Sequence, residues 1–177
     1  MKIFPIVLIL LSAAGSLAGD STTDNLDVAC LFEMNSHAIC THGDMRVSMR
    51  FIKVADDESK LISIEVAYLG KKHYLRVSPD TTLTRGEQGL ISFEDINFDN
   101  FPDIAVSTSF GVANLYMDYW IFNRENNNFL RIGNYSRFSL DPKNKTLSNT
   151  VKISAKRYKK NTYSWHGSKL IKKNDRD

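Results

Sequence analysis

Asp95-Ile96-Asn97-Phe98-Asp99-Asn100-Phe101-Pro102-Asp103 carries side-chain oxygens at positions 1, 3, 5 and 9 of a nine-residue run. Ca²⁺ is a hard cation that takes six to eight oxygens at about 2.3–2.6 Å, and a tight turn rich in Asp and Asn aims alternate side chains inward. Position 7, Phe101, offers its backbone carbonyl. The expected ligand set is therefore Asp95, Asn97, Asp99, Phe101 and Asp103, around a structural Ca²⁺. Position 6 must turn sharply and is normally Gly; here it is Asn100, the other residue type that readily accepts positive φ. Position 12 is Val106, where an EF-hand requires a bidentate Glu. The flanking Ile91-Ser92-Phe93 and Ile104-Ala105-Val106 are strand-like, which predicts a strand–loop–strand site, not an EF-hand. Without the bidentate Glu, the expected affinity lies at the extracellular end of the range, about 10⁻⁴–10⁻³ M. The competing reading is an acidic turn whose Asp and Asn side chains cap their own backbone.

No other constellation in the chain asks for chemistry. There is no G-x-S-x-G elbow, H-E-x-x-H or P-loop. His37, His42, His73 and His166 show no metal-ligand spacing; His73 reads as a strand residue and His166 as a turn residue. Asp56-Asp57 lies in an evident turn, and the reading is of a protein that is not an enzyme. Cys30 and Cys40 are the two cysteines. A structural disulfide is the expectation; the rivals are a redox pair, which wants C-x-x-C, and half of a zinc site with His37 and His42.

The elements that position these residues follow from pattern and length. The chain has 177 residues, 42% hydrophobic and 24% charged, which fits one folded domain and excludes a disordered or polytopic membrane chain. Residues 1–18 read as a signal peptide: Lys2, the apolar Ile3–Leu11, and small Ser16 and Ala18 before Gly19. The apolar run is shorter than the roughly 20 residues that span a bilayer. Residues 19–177 form the expected mature β domain with a basic C-terminal tail, and the expected location is periplasmic or secreted, with no membrane span after cleavage. From Lys152 onward there are nine Lys or Arg against two Asp; with no aromatic-interleaved motif, nucleic acid is not the expected partner.

Period-two alternation dominates the mature chain. Met45–Phe51, Ile62–Tyr68 and His73–Val77 alternate cleanly, the last two joined at a Gly70-Lys71-Lys72 turn. Ile91–Phe93, Ile104–Thr108, Leu115–Phe122, Phe129–Ile132, Val151–Ala155 and Tyr163–Trp165 are further short strands, and no window carries a helical stripe. The fold class is all-β: a single domain of short antiparallel strands, arranged as a meander, sandwich-like or barrel- or propeller-like. Tyr119 and Trp120 point to opposite faces of their strand, so at most one of them is expected in the core.

The loop from Phe93 to Ile104, followed by Tyr116-Met117-Asp118-Tyr119-Trp120-Ile121-Phe122 and Phe129, resembles exported bacterial immunity proteins of the xanthomonad type IV secretion system. The loop itself is like the calcium loops of integrin-type FG-GAP β repeats. The resemblance covers Leu61 to Leu170, with Asn100 standing where the family pattern has Gly. It implies an inhibitor of a lysozyme-like peptidoglycan-hydrolase effector, acting by insertion of a loop into the active site. Under that implication Ser109–Tyr116 is the presenting segment, with Phe110 and Tyr116 as anchors, Asn114 as a hydrogen-bond partner, and Ca²⁺ lying beneath it. The alternative is a calcium-stabilised envelope or secreted binding module that recognises a glycan or a protein.

Overall fold

The computed structural model describes residues 29–34, 37–79, 81–109 and 114–173. The expected signal peptide and Phe110 lie outside the described residues. From β1 (Ala29–Phe32) the chain passes to β2 (His37–His42), β3 (Met45–Ala55), β4 (Glu58–Tyr68), β5 (Lys71–Leu75) and β6 (Thr82–Thr84). These last five form one sheet in the order β2-β3-β4-β5, with β6 also on β4. Then come β7 (Gly89–Glu94), β8 (Asp103–Ser109), β9 (Tyr116–Asn123) and β10 (Asn128–Ser136), which build a second sheet with β1 on its edge, ordered β1-β7-β8-β9-β10. β11 (Ser139–Asp141), β12 (Thr146–Ser154), β13 (Arg157–His166) and β14 (Lys169–Lys172) form the third, in chain order. Among the described residues every strand pairing is antiparallel, and no sheet closes into a barrel.

The second sheet is the middle of three layers. Side chains alternate across a strand, so Ile104, Val106, Trp120 and Phe122 enter one core with Met45, Val47, Leu61 and Val66 of the first sheet. Ala105, Met117, Tyr119 and Ile121 enter a second core with Leu147 and Tyr163 of the third sheet. Tyr119 and Trp120 are therefore both buried, at 0% and 2% exposure. The expectation that at most one of them is core fails because it assumed a sheet with one wet face. A strand covered on both faces reads as a nearly unbroken apolar run, which is what Leu115–Phe122 is.

The β4–β5 hairpin turns one residue earlier than the spacing suggested. Leu69 and Gly70 take φ of 48° and 75°, the pair of positive values a two-residue type I′ turn requires, and Lys71 and Lys72 become strand. Gly89 faces Phe32 across β1–β7. A Cβ there would stand 2.1 Å from the Phe32 ring, so only glycine lets that ring lie over the strand.

Candidate metal loop and partner-binding loop

The acidic loop bridges β7 and β8, and its side chains organise its own backbone. Asp95 accepts from the amides of Asp99 (2.9 Å) and Asn100 (2.8 Å). Asn97 Oδ1 accepts from Asp99 N at 3.1 Å, and Asp99 Oδ1 from Phe101 N at 2.9 Å. Asn100 sits at φ 68°, as its type predicts. Phe98 sits at φ 62°, which the sequence did not signal; a bulky residue there is strained, and its packing against the second core offsets the strain.

Asp103 differs from the others. It is fully buried, and its oxygens accept from the amides of Phe122 (2.7 Å), Ile96 (2.9 Å) and Asn97 (3.3 Å). Burial pushes its pKa well above the usual carboxylate range; the amides of Phe122 and Ile96 oppose the shift, while the nearby Asp99 and Asp95 charges reinforce it. Among the described residues no ion pair reaches Asp95, Asp99 or Asp103. Nor do the carboxylates converge: among the described residues, no three His, Cys, Asp or Glu side chains are placed to hold a metal. Asn97 Nδ2 instead donates to Asp99 Oδ2 at 2.8 Å.

The third sheet holds the loop from outside through Trp165 Nε1, which donates to Ile96 O at 2.9 Å. The Phe101 ring lies 6.1 Å from that of Phe122, with the Arg124 guanidinium 5.0 Å from its centre. Beside the loop opens a groove of about 520 Å³, lined among others by Asn97, Asp99, Arg124, Glu125, Leu130 and Trp165.

The expected presenting segment lies elsewhere. Asp103 begins β8 and Ser109 ends it, so at about 3.4 Å per residue the two loops are about 20 Å apart. Ca²⁺ at the acidic loop would therefore not lie beneath Ser109–Tyr116; an antiparallel strand delivers its two connections to opposite ends of the sheet. Asn114 is committed within the molecule: Oδ1 accepts from Lys152 N at 2.9 Å, and Nδ2 donates to Lys152 O at 3.4 Å. Tyr116 is half-buried at the start of β9, where its carbonyl accepts from Thr108 Oγ1 at 3.4 Å.

What mounts this end of the sheet is a network that sequence reasoning missed. Asp118 is fully buried, and its carboxylate accepts from Arg131 (2.6 Å), Ser78 (2.5 Å) and Asn134 (2.9 Å). Asn134 also donates to Thr108 Oγ1 at 2.7 Å. The available signal was an acid inside the apolar Leu115–Phe122 run, since a buried carboxylate needs charged or hydrogen-bonding partners.

Cys30 of β1 and Cys40 of β2 come together between the first and middle sheets as two free thiols. Burial, then the hydrogen bond and charge of Cys30, push the Cys40 thiol up to about 12.

No protein-family model and no curated protein matches the chain. A solved structure does: that of a Xanthomonas type IV secretion system related protein, with a TM-score of 0.58 and 13% identity, covering 81% of this chain and 83% of the other. At that identity the likeness is one of fold.

Proposed function

We propose that this chain is an exported inhibitor or immunity protein that blocks a lysozyme-like peptidoglycan hydrolase by inserting the Ser109–Tyr116 loop into its active site. The observation that carries the reading is the buried Asp118–Arg131–Asn134–Ser78 network beside that loop. The network holds Thr108 and the start of β9, the strand ends that flank the loop, and a fixed base lowers the cost of ordering on binding. Asn114 acts as a clamp on the loop, leaving Tyr116 and Phe110 as its anchors. The motif resemblance and the fold shared with a secretion-system related protein support the same reading.

The acidic loop is the proposed structural Ca²⁺ site. Its donor types suit the ion: Asp95, Asn97, Asp99 and the Phe101 carbonyl offer hard oxygens, Asp103 keeps a free lone pair on Oδ1, which accepts one amide, while its Oδ2 accepts two, and among the described residues the three acids of this turn enter no ion pair. A bound cation would supply the missing positive charge. Because the loops are at opposite ends of β8, it would act on inhibition through scaffold stability.

The test is a lysis assay. The mature chain, Gly19 to Asp177, is titrated into a panel of lysozyme-like secreted hydrolases. Saturable inhibition that weakens about tenfold or more with Tyr116→Ala is expected, since aromatic anchors of this kind contribute about 2 kcal/mol or more. Flat curves across the panel would refute the reading. The groove beside the acidic loop favours a second one, a module that binds an envelope glycan or protein; binding without slowing a hydrolase would select it.

A further inference from the structure

The third sheet outgrows the body of the protein. Its last inward polar pair is Asn149 and Asn161, both buried: Asn161 Nδ2 donates to Asn149 Oδ1 at 3.0 Å, and Asn149 Nδ2 to Ser136 O at 3.1 Å. Beyond that pair β12 and β13 continue as a two-stranded ribbon, with Thr150 opposite Lys160, Val151 opposite Lys159, Lys152 opposite Tyr158 and Ser154 opposite Arg157. Residues 153–160 are all exposed. At about 3.3 Å per residue the ribbon reaches about 17 Å beyond the Asn pair. A two-stranded ribbon adds almost nothing to stability on its own, so its length is not explained by packing.

Its composition is one-sided. From Thr150 to Asn161 there are five basic residues, Lys152, Lys156, Arg157, Lys159 and Lys160, and no acid. Among the described residues none of the five enters an ion pair. The apolar side chains at the tip are not tucked away either: Tyr158 is 62% exposed and Ile153 50%. Alternation puts Lys160, Tyr158 and, across the ribbon, Lys152 on one face, with Arg157 and Lys159 on the other. The base is fixed by the two Asn114 bonds to the Lys152 backbone.

We infer that this ribbon is an arm that docks the protein onto an anionic lipid surface. Four of its five cations are Lys, a strongly hydrated point charge. Lys is depleted at the centre of protein–protein interfaces, where Arg is favoured, but it suits a diffuse layer of lipid phosphates. An exposed tyrosine is a side chain that settles at the boundary between headgroups and acyl chains, and Tyr158 lies among the lysines on its face of the ribbon. A projecting ribbon lets both charged faces approach the layer while the two buried cores stay intact. Nucleic acid would call for several stacking aromatics along the groove, and the arm has one.

The test is sedimentation of the full mature chain with phosphatidylcholine vesicles, with and without about a third phosphatidylglycerol. Each basic side chain near such a surface strengthens binding about fivefold. The variant Lys156→Gln/Lys159→Gln removes two exposed, unpacked charges and is expected to weaken binding to the anionic vesicles about 25-fold. Arg76→Gln/Lys143→Gln removes the same charge elsewhere on the exposed surface and is expected to change it about twofold at most. Binding that is salt-sensitive, specific to the anionic vesicles and carried by the arm supports the assignment. Equal loss in both variants would reduce it to net charge and overturn it. Equal or absent binding to the two vesicle types would also overturn it. Retention on immobilised polyglutamate without vesicle binding would overturn it in favour of an acidic protein partner.

Discussion

Asp103 joins the acidic loop to the middle sheet, and its removal has a calculable consequence. In Asp103→Ala the amides of Ile96 and Phe122, both buried, lose their acceptor. Each unsatisfied buried donor costs about 1–3 kcal/mol. The Asn97 amide, at 3.3 Å and only partly buried, adds little. Removing a carboxylate whose burial already disfavours its charge returns part of the loss. The expected net effect is about 2–4 kcal/mol, a large share of the 5–15 kcal/mol typical of a domain. Asp103→Asn keeps one acceptor oxygen and sheds the charge, so it should cost about half as much. The assay is urea unfolding in the presence of chelator, followed by the fluorescence of buried Trp120 and of Trp165. The midpoint should fall in the order wild type, Asn, Ala, with an unchanged slope. An alanine variant within about 0.5 kcal/mol of wild type, or an asparagine variant less stable than alanine, would refute the reasoning.

Two other groups carry predictions of their own. His73 is buried, its Nε2 has no hydrogen-bond partner among the described residues, its ring meets Phe129 edge-on at 5.2 Å, and burial lowers its pKa despite a bond to Asn128. Unfolded, it takes a proton near pH 6.5, so its contribution to stability is complete above about pH 6.5 and is lost as the pH falls through the depressed folded value. Melting curves from about pH 7 to 5 should show a decline that His73→Phe flattens; parallel curves would contradict this assignment. The neighbouring thiols of Cys30 and Cys40 should close to a disulfide under a thiol oxidant, stabilising the fold by about 2–3 kcal/mol through the short loop they enclose. A thiol titration that still counts both sulfhydryls after oxidation would exclude this.

Much of the fold was legible because its signal is local. Met45, Val47, Met49 and Phe51 are buried and alternate with polar neighbours, so β3 declares itself. Asn100 at positive φ could be anticipated from residue type, whereas Phe98, held there by its packing against the second core, could not. The three layers were hidden, because the sequence shows which residues avoid water without showing how many sheets cover them; Tyr119 and Trp120 needed both. The distance between the two loops was hidden too. Sequence proximity across β8 suggested a shared site, but an extended strand places its ends as far apart as its length allows. The Asp118 network is made of partners 13, 16 and 40 residues away, and no pattern along the chain announces such contacts.

The proposed Ca²⁺ site in the Asp95–Asp103 loop is the part of the proposed function most directly open to measurement. Calorimetric titration of Ca²⁺ into the chelator-stripped mature chain measures it directly, with thermal melts as a second readout. One site with a Kd of about 10⁻⁴–10⁻³ M is expected. At about 10 mM Ca²⁺ it stabilises the protein by about 1.4–2.7 kcal/mol, a rise in Tm of about 3–10 °C. Asp95→Asn should weaken both effects. No heat of binding and no change in Tm at that concentration would mean that the loop is an acidic turn that caps its own backbone.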